Sequence, residues 1–467
     1  IKFFFILIVY TNMSDNTSTP IEMRLSEVPG MPSPELEMSY VTAIPMNGST
    51  FSQNQEVRVG LNVPQDCFVD LKRAYMKFKL NNTGAAPIFL DPLIGGAAVI
   101  DNWRVIGGTG ALLEEVIHYN AFYAAMNANK NTDVVSTIHH LYEGASLRPG
   151  KPQKVETGDT DLTGIGLTSI TNAESRVITH RPQSAFFNAD RYMPLGYTQG
   201  LSYLSMTLAQ NTTAFLTNSG TDAASYTISE VEVHLPILKP GPEFASMFRS
   251  AMSSGVPIQI HSVGVQNTQQ AIPASTTGEN TLTFSTRKRS VKSLVNVLRL
   301  NTAITSSLAN SVSGFVNCDI SELNYSVGGM RIPAQRIKVN TDANGKDAGE
   351  LLANQQLALG HFSSDLRGIC SIDERHNALP VETYLTTDEK TSKLGGKALF
   401  SLDLESYNAA FAGKNLAGQG LPLVFHAQTG TKGIQNQATG AVLCDLYVIH
   451  DVVYVLDGMT GVITANS

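Results

Sequence analysis

Alternating apolar and polar positions recur along most of this chain. They are clearest in LSYLSMTL (201–208), SEVEVHL (229–235) and LFSLDLE (399–405). Successive side chains of a strand point to opposite faces, so a period of two indicates strands with one face against a core. Turns rich in Gly, Asn and Ser separate such runs. The sequence therefore predicts a mostly β protein from about residue 40 onwards.

Helical periodicity is rare by comparison. The segment LLEEVIHYNAFYAAM (112–126) has one apolar stripe at helical spacing. It also has two glutamates in what would be its first turn, where the helix dipole favours acids. The segments 348–362 and 241–255 are two further candidates, and glycines bound the second of them. We therefore expect a few helices inserted between strands.

The segment 241–255 lies between two halves that have a similar order of elements, which indicates an internal duplication. The alternative is that any two β-rich halves can be matched in this way. Loops of different length would explain why the spacing between matches varies. The matched pairs are QEVRVGLNV with VPIQIHSVGV, LKRAYMKFKL with RKRSVKSLVNVLRL, IDNWRVIGG with ISELNYSVGG, the helix at 112–126 with that at 348–362, LSYLSMTLA with ALFSLDLES, and ISEVEVHLPIL with CDLYVIHDVVYVL.

The duplication divides the chain into two all-β domains, 40–240 and 256–467, joined by a linker helix over 241–255. Residues 1–39 are predicted to form an N-terminal arm, which is acidic after its apolar start. The first ten residues, IKFFFILIVY, are too few to span a membrane, which takes about 20. No small-residue cleavage site follows them. We expect residues 1–12 to be upstream sequence absent from the mature protein, with a cleaved targeting segment as the alternative.

Composition narrows the class of protein. The chain has 467 residues, 42% of them hydrophobic and 16% charged, with a net charge of −7. This is a globular composition, and a net acidic chain is a poor candidate for non-specific binding to nucleic acid. The four cysteines contain no C-x-x-C pair, so we expect free, mostly buried thiols in a reducing compartment. They are Cys67, Cys318, Cys370 and Cys444.

Two β-sandwiches of this size are found in jelly-roll proteins, which include capsid proteins, lectins and the metal-binding cupins. A double cupin needs a metal site, usually with an H-x-H pair, and the ten histidines include none. The adjacent His139 and His140 would point to opposite faces of a strand, which indicates a surface or packing role. The sequence therefore predicts no metal site and no cofactor.

Motifs for other chemistry are also missing. The sequence has neither G-x-S-x-G nor H-E-x-x-H. GGTGALLEE (107–115) lacks the signature of a phosphate loop, so we expect Gly107 and Gly108 to form a turn into the helix, with Thr109 as a cap. DERHN (373–377) is expected to be a solvated or salt-bridged loop. No catalytic residue is predicted, and the chain is interpreted as a structural protein and not an enzyme. A carbohydrate-binding double sandwich is the alternative, weakened by the single tryptophan, Trp103.

An ordered set of segments resembles the major capsid proteins of the double jelly-roll lineage, in particular those of polinton-like viruses and virophages. It covers roughly residues 40–310, and the rest of the chain is similar only in element order. The polar segment 127–185 is interpreted as a variable loop on the outer surface. The segments are IPMNGSTFSQNQEVRVGLNV, FVDLKRAYMKFKLNNTG, GGTGALLEEVIHYNAFYAAM, YTISEVEVHLPIL and TFSTRKRSVKSLVNVLR.

The resemblance implies two consecutive jelly-roll barrels and a structural role in a virion. In that family three copies form a trimer, whose six barrels make a pseudo-hexameric capsomer. Such capsomers tile an icosahedral shell around double-stranded DNA. The implied partners are neighbouring capsomers, a penton protein, minor capsid proteins, and viral DNA or an internal membrane at the inner face. A small-molecule substrate is not implied.

The densest positive cluster is STRKRSVKSLV (285–295), where four of the six residues from Arg287 to Lys292 are basic. It lies at the start of a predicted strand of the second domain, as LKRAYMKFKL, with Lys72, Arg73, Lys77 and Lys79, does in the first. Three interpretations remain open: a nuclear address, contact with DNA at the inner face, and salt bridges to acidic neighbours.

Overall fold

The computed structural model describes residues 36–128, 130, 135–146, 167–217, 224–255, 257–272, 279–304, 307, 311–315, 320–327, 329–338, 349–359, 399–406, 411–417, 423–429 and 442–467. The predicted arm lies outside these residues up to position 35. Residues 36–39, also assigned to the arm, instead begin a strand that pairs along its whole length with the end of the first domain. Cys318, Cys370 and the DERHN segment lie outside the described residues.

Twelve strands before residue 241 build the first sandwich. They are β1 (Leu36–Ala43), β2 (Thr50–Ser52), β3 (Glu56–Gly60), β4 (Phe68–Val69), β5 (Tyr75–Asn82), β6 (Ile88–Phe89), β7 (Ile100–Ile106), β8 (Leu112–Val116), β9 (Ser169–Ile170), β10 (Ser175–His180), β11 (Tyr203–Leu208) and β12 (Tyr226–Pro240). One sheet has the order β1-β12-β5-β10, with β2 and β4 also on β12, and the other has the order β3-β11-β7-β8. The short strands β6 and β9 pair with each other.

Nine described strands after residue 257 build the second sandwich. They are β13 (Ile258–Ile272), β14 (Glu279–Phe284), β15 (Val291–Leu300), β16 (Ile320–Val327), β17 (Met330–Lys338), β18 (Leu399–Asp403), β19 (Leu423–Thr429), β20 (Val442–Leu456) and β21 (Ile463–Asn466). One sheet has the order β13-β20-β15-β18, with β21 also on β20, and the other has the order β14-β19-β16-β17.

The eight main strands of each sandwich have the same topology. β1, β12, β5 and β10 correspond in order and position to β13, β20, β15 and β18, and the second sheets correspond likewise. Eight antiparallel strands in this arrangement form a jelly roll. The chain is therefore all-β with a few short helices and contains two consecutive jelly rolls, as the sequence predicts.

Two of the six sequence matches between the halves are wrong. The strand in LSYLSMTLA, β11, corresponds to β19 and not to the strand in ALFSLDLES, which is β18. Likewise QEVRVGLNV contains β3, whose counterpart is β14, whereas VPIQIHSVGV contains β13, the counterpart of β1. Alternation alone cannot distinguish neighbouring strands of one sandwich, because each shows the same period of two.

Residues 112–126 are not one helix. Leu112–Val116 form β8, which pairs with β7, and helix α1 begins only at Tyr119 and ends at Asn127. Gly107 and Gly108 belong to the hairpin turn between β7 and β8, so Thr109 does not cap a helix. His118 has a left-handed backbone conformation, which separates strand from helix. The tertiary pairing with Trp103 and its neighbours overrides the helical pattern.

The other two helices form where the sequence predicts them. Helix α2 spans Pro242–Ser253 between β12 and β13, with proline in its first turn, where no backbone donor is lost. Helix α3 spans Gly349–Leu359 and follows β17, as α1 follows β8. Among the described residues, no helix is long and apolar enough to cross a membrane.

Candidate assembly interface

The two jelly rolls of one chain pack against each other through one face of the sheet β13-β20-β15-β18. Alternate residues of these strands belong to different cores: Val448 lies inside the second jelly roll, whereas Tyr447 and Ile449 join the core of the first. Val295 on β15 and Leu399 on β18 also belong to the core of the first jelly roll, as Tyr447 does. This sheet is therefore buried on both sides, and its serines, such as Ser401 on β18, are buried as well.

Helix α1 and the residues around Phe186 form the matching surface of the first jelly roll. The Phe122 ring on α1 lies 5.5 Å from the Tyr447 ring, and Phe186 lies 5.5 Å from Tyr454. The Tyr447 hydroxyl donates a hydrogen bond to the carbonyl oxygen of His118 at 3.2 Å. Apolar contact of this kind is typical of permanent interfaces and not of transient ones.

Glu114 positions part of this surface. The sequence places it in a helix, but it lies on β8, where its buried carboxylate accepts hydrogen bonds from the backbone N–H groups of Ala185 and Phe186. Burial raises the pKa of Glu114, and these two hydrogen bonds oppose that rise. The Ala185 carbonyl in turn accepts a hydrogen bond from Ser262 Oγ at 2.6 Å, which joins the first jelly roll to β13.

A cluster of charged groups lies at the edge of the contact between the jelly rolls. His261 Nδ1 lies 3.0 Å from Asp190 Oδ2 in the first jelly roll, and its Nε2 lies 2.7 Å from Asp451 Oδ1 in the second. Lys292 forms ion pairs with Asp451 and Glu405. Lys292 and Asp451 are buried, so the cluster neutralises charges that water does not reach.

The positive cluster at 285–295, called the basic run below, therefore contains both buried and exposed side chains. Lys292 forms salt bridges inside the protein, in agreement with one of the three interpretations. Lys288 is half-buried, burial lowers its pKa, and its Nζ donates to Ser467 Oγ at 2.7 Å. Arg287 and Arg289 are exposed just before β15. In the first jelly roll the corresponding lysines and arginine all have acidic partners: Lys72 with Asp190, Arg73 with Asp70, Lys77 with Glu232, and Lys79 with Glu230.

The outer face of the sheet β1-β12-β5-β10 differs from its counterpart in the second jelly roll because it is exposed. Met38 and Tyr40 on β1 are 44% and 65% exposed. Tyr75 stacks on His234 with ring centroids 4.6 Å apart. The two lysine–glutamate pairs of β5 and β12 lie beyond this stack, half-exposed. This face combines an apolar end with a charged one.

A second charged cluster is enclosed within the first jelly roll. Glu143 accepts hydrogen bonds from Tyr123 Oη, His139 Nδ1 and His180 Nδ1, and His180 Nε2 lies 2.8 Å from Tyr119 Oη. Burial opposes ionisation of Glu143, but the hydrogen bonds from the two histidines outweigh it and lower its pKa to about 2. His139 and His140 belong to consecutive helical turns and not to a strand, and His139 has the packing role that the sequence predicts.

A cleft of about 880 Å³ lies beside helix α2, between the loops 61–66 and 195–202 and the turn at 458–459. Its wall contains an ion pair between Arg249 and Asp66, and its lining includes no histidine or cysteine. Among the described residues, no group of three or more His, Cys, Asp or Glu side chains could hold a metal ion. Cys67 and Cys444 are both buried.

The sequence alone did not identify the exposed outer face of β1, β12 and β5. The sequence does contain a pattern for part of this face, because Lys77 and Lys79 alternate with Met76, Phe78 and Leu80. That pattern predicts a strand with one polar face. It cannot predict that the equivalent face of the second jelly roll is buried by the first.

Solved structures with similar folds are viral. The VP54 protein of PBCV-1, fitted into a reconstruction of the virophage Sputnik, matches with a TM-score of 0.58 and 10% identity, over 94% of this chain and 99% of that chain. The Faustovirus major capsid protein matches with a TM-score of 0.54 and 10% identity, over 97% and 96%. A chain of the Sputnik virophage structure matches with a TM-score of 0.53 and 10% identity, over 96% and 92%. No protein-family model matches this chain, and no curated protein matches it in sequence.

Proposed function

We propose that this chain is the structural major capsid protein of a double-stranded DNA virus. Three copies form a pseudo-hexameric capsomer, and capsomers tile an icosahedral shell, so the protein is located in the virion. The similarity in fold extends over nearly the whole chain and nearly the whole of each viral structure. The proposed domain limits are those predicted from the sequence, 40–240 and 256–467 for the jelly rolls and 241–255 for the linker, except that the first jelly roll begins at Leu36 with β1.

The observation that supports this function best is the pair of topologically equivalent jelly rolls packed side by side. A chain of two similar blocks gives six similar blocks when three copies surround a threefold axis. Such a unit has a nearly hexagonal outline and can pack like a hexamer.

The described residues support a structural role and not an enzymatic one. The two clusters described above, one around Glu143 and His180 and the other around His261 and Asp451, are tied to buried partners within the fold. Trp103, the one tryptophan, is fully buried, so it offers no ring on which a sugar could stack. Within the part of the chain that the structure describes, we find no feature that favours the carbohydrate-binding alternative.

The partners proposed are neighbouring capsomers, a penton protein and minor capsid proteins. Arg287 and Arg289 are exposed at the same edge of the second jelly roll, which supports a contact with an anionic surface. Viral DNA and an internal membrane are both anionic, and either would attract these side chains.

The test of the function is the mass of the purified full-length chain in solution, combined with a glycan-array screen. We expect a species of three times 50.3 kDa that assembles further and binds no glycan. A stable monomer that binds a defined glycan would refute the capsid function and favour the carbohydrate-binding one.

A further inference from the structure

His261 on β13 has a carboxylate at each of its two ring nitrogens. Nδ1 lies 3.0 Å from Asp190 Oδ2 of the first jelly roll, and Nε2 lies 2.7 Å from Asp451 Oδ1 on β20. The backbone N–H of Asp190 also donates a hydrogen bond to the carbonyl oxygen of His261 at 3.0 Å. One histidine therefore connects the two jelly rolls through two aspartates.

This contact requires a charged imidazole ring. An ionised carboxylate only accepts hydrogen bonds, and a neutral imidazole has one donor and one acceptor nitrogen. Both nitrogens of His261 can donate only when each carries a proton, which is the charged form of the ring. Loss of one proton would leave a nitrogen lone pair facing a carboxylate oxygen at hydrogen-bonding distance, so the two would repel each other.

Asp451 is held in place as an acceptor. Ser290 Oγ and the backbone N–H of Phe411 donate hydrogen bonds to its Oδ2, and Lys292 Nζ lies 3.6 Å from its Oδ1. These donors stabilise the charged carboxylate and fix its position in the interior. A change in the contact therefore has to come from the ring of His261 or from the Asp190 side.

The other ionisable groups around His261 are mostly carboxylates and lysines, whose charge does not ordinarily change between about pH 5 and pH 8, whereas that of histidine does. Burial lowers the pKa of His450, which neighbours Asp451, to about 4, so His450 stays neutral in this range. Among the described residues of this cluster, His261 is therefore the group whose charge changes there. The others are Lys72 and Asp190 of the first jelly roll, Lys292 on β15, Asp451 on β20 and Glu405 after β18.

We propose that His261 acts as a pH-sensitive latch between the two jelly rolls, closed when its ring is charged and open when the ring is neutral. Only the charged ring binds both aspartates, so the latch stabilises the contact at the acidic end of this range and loses that contribution as the pH rises. The latch lies within one chain. It therefore goes beyond the proposed capsid function and does not depend on it.

The latch can open without unfolding of the chain. The His261 side chain is 22% exposed, so water can supply and remove its proton. Asp190 lies in a loop with its side chain 56% exposed, so it can move away from the ring. The contact between the rings of Tyr447 and Phe122 carries no charge and holds the jelly rolls together in both states. Opening is therefore a local separation of the loop around Asp190 from β13.

Hydrogen exchange of the Asp190 backbone N–H in the full chain tests the latch, because this group donates to the His261 carbonyl oxygen. The rate is measured at about pH 5.5 and at about pH 8.5, on either side of the ordinary titration of histidine, and is divided by the intrinsic rate at each pH. We expect the protection of this N–H to fall about tenfold between the two values, which is the effect of losing one hydrogen bond to a charged group.

Two variants separate the latch from a purely structural role of the same residues. His261→Gln can form hydrogen bonds but cannot be charged, so its protection should be low at both pH values. Asp190→Asn retains the backbone N–H and the size of the side chain but loses the carboxylate, so its protection should also be independent of pH. His234→Gln is the matched control, because His234 lies 3.1 Å from Glu232 on the exposed sheet of the first jelly roll. It should show the same fall as the unmodified chain.

Equal protection of the unmodified chain at both pH values, or a His261→Gln chain that retains the fall, would overturn the inference. If His261→Gln did not fold, Asp190→Asn would decide alone, and a fall that persisted in that variant would refute the latch. None of these results bears on the capsid function, which is tested by the mass of the assembled species, so the two failures are distinguishable.

Discussion

At the scale of single residues, the charges buried in this protein are held by other polar groups. Glu143 is an example, because two histidines and a tyrosine stabilise its charged form. The folded-state pKa of about 2 is below the ordinary value of 4.5. A lowered carboxyl pKa stabilises the fold above the ordinary value, and that contribution is lost as the pH falls towards the folded value.

The pH dependence of stability provides one prediction. Between pH 4.5 and pH 2 the free energy of unfolding should fall, and about 3 kcal/mol of that loss should come from Glu143. In Glu143→Gln this loss should be absent, so the two proteins should approach each other in stability as the pH falls. Urea unfolding at several pH values measures the difference. If the difference in the free energy of unfolding between the two proteins stayed constant from pH 4.5 to pH 2, Glu143 would not have a lowered pKa in the folded protein.

The basic run provides a second prediction at this scale. Lys292→Met removes the buried lysine that forms ion pairs with Glu405 and Asp451, which should destabilise the fold by about 3–5 kcal/mol. Arg289→Met, three residues away and exposed, is the matched control and should change stability by less than about 0.5 kcal/mol. Denaturant unfolding of both variants checks this. Equal effects would show that the burial of Lys292 does not matter.

The role of a single residue was easier to predict from the sequence than the residues that it contacts. The packing role of His139 was predictable, but its link through Glu143 to His180 joins positions about 40 residues apart. Nothing in the local pattern specifies such a contact. The division of the basic run into a buried lysine and exposed arginines also depends on tertiary structure, since all four residues are equivalent in the sequence.

At the scale of elements, periodicity predicted the strands well and the helix over 112–126 poorly. Strand β8 and helix α1 together produce an apolar stripe at helical spacing, although only the second part is helical. Strand β18 was predicted to have one face against a core, yet both of its faces are buried. Both errors have the same cause: packing between distant segments is stronger than local preference.

The linker helix α2 provides a prediction at this scale. The Phe248 ring packs on Phe68 and Tyr197, with ring centroids 5.0 and 4.7 Å apart, and so anchors the helix to the first jelly roll. Phe248→Ala should cost about 1–3 kcal/mol and increase hydrogen exchange in α2. Met247→Ala, on the exposed side of the same helix, is the control. Unchanged exchange in Phe248→Ala would show that other contacts hold the helix.

At the scale of the whole molecule, the duplication is the dominant feature. Each jelly roll has the same strand order, but the charges and apolar residues on the equivalent faces differ. One face packs against the other jelly roll within the chain, and the equivalent face is exposed. The order of the elements was predictable from sequence, whereas the relative placement of the two jelly rolls was not, because no local pattern encodes it.

The exposed arginines provide a prediction at this scale. Arg287→Glu combined with Arg289→Glu should leave the thermal unfolding midpoint nearly unchanged, since both side chains are exposed. Assembly into trimers or shells should be impaired more than folding. The unfolding midpoint reports on folding, the particle yield on assembly, and the DNA content of the particles on packaging, so the three measurements together separate these effects. Normal particles without a genome would assign these arginines to DNA and not to assembly.

Electron cryomicroscopy of the purified full-length chain tests the central claim most directly. The account predicts a particle with threefold symmetry and a nearly hexagonal outline, in which six similar lobes alternate between first and second jelly rolls. A monodisperse monomer, or an oligomer in which the two jelly rolls do not alternate around the axis, would contradict it.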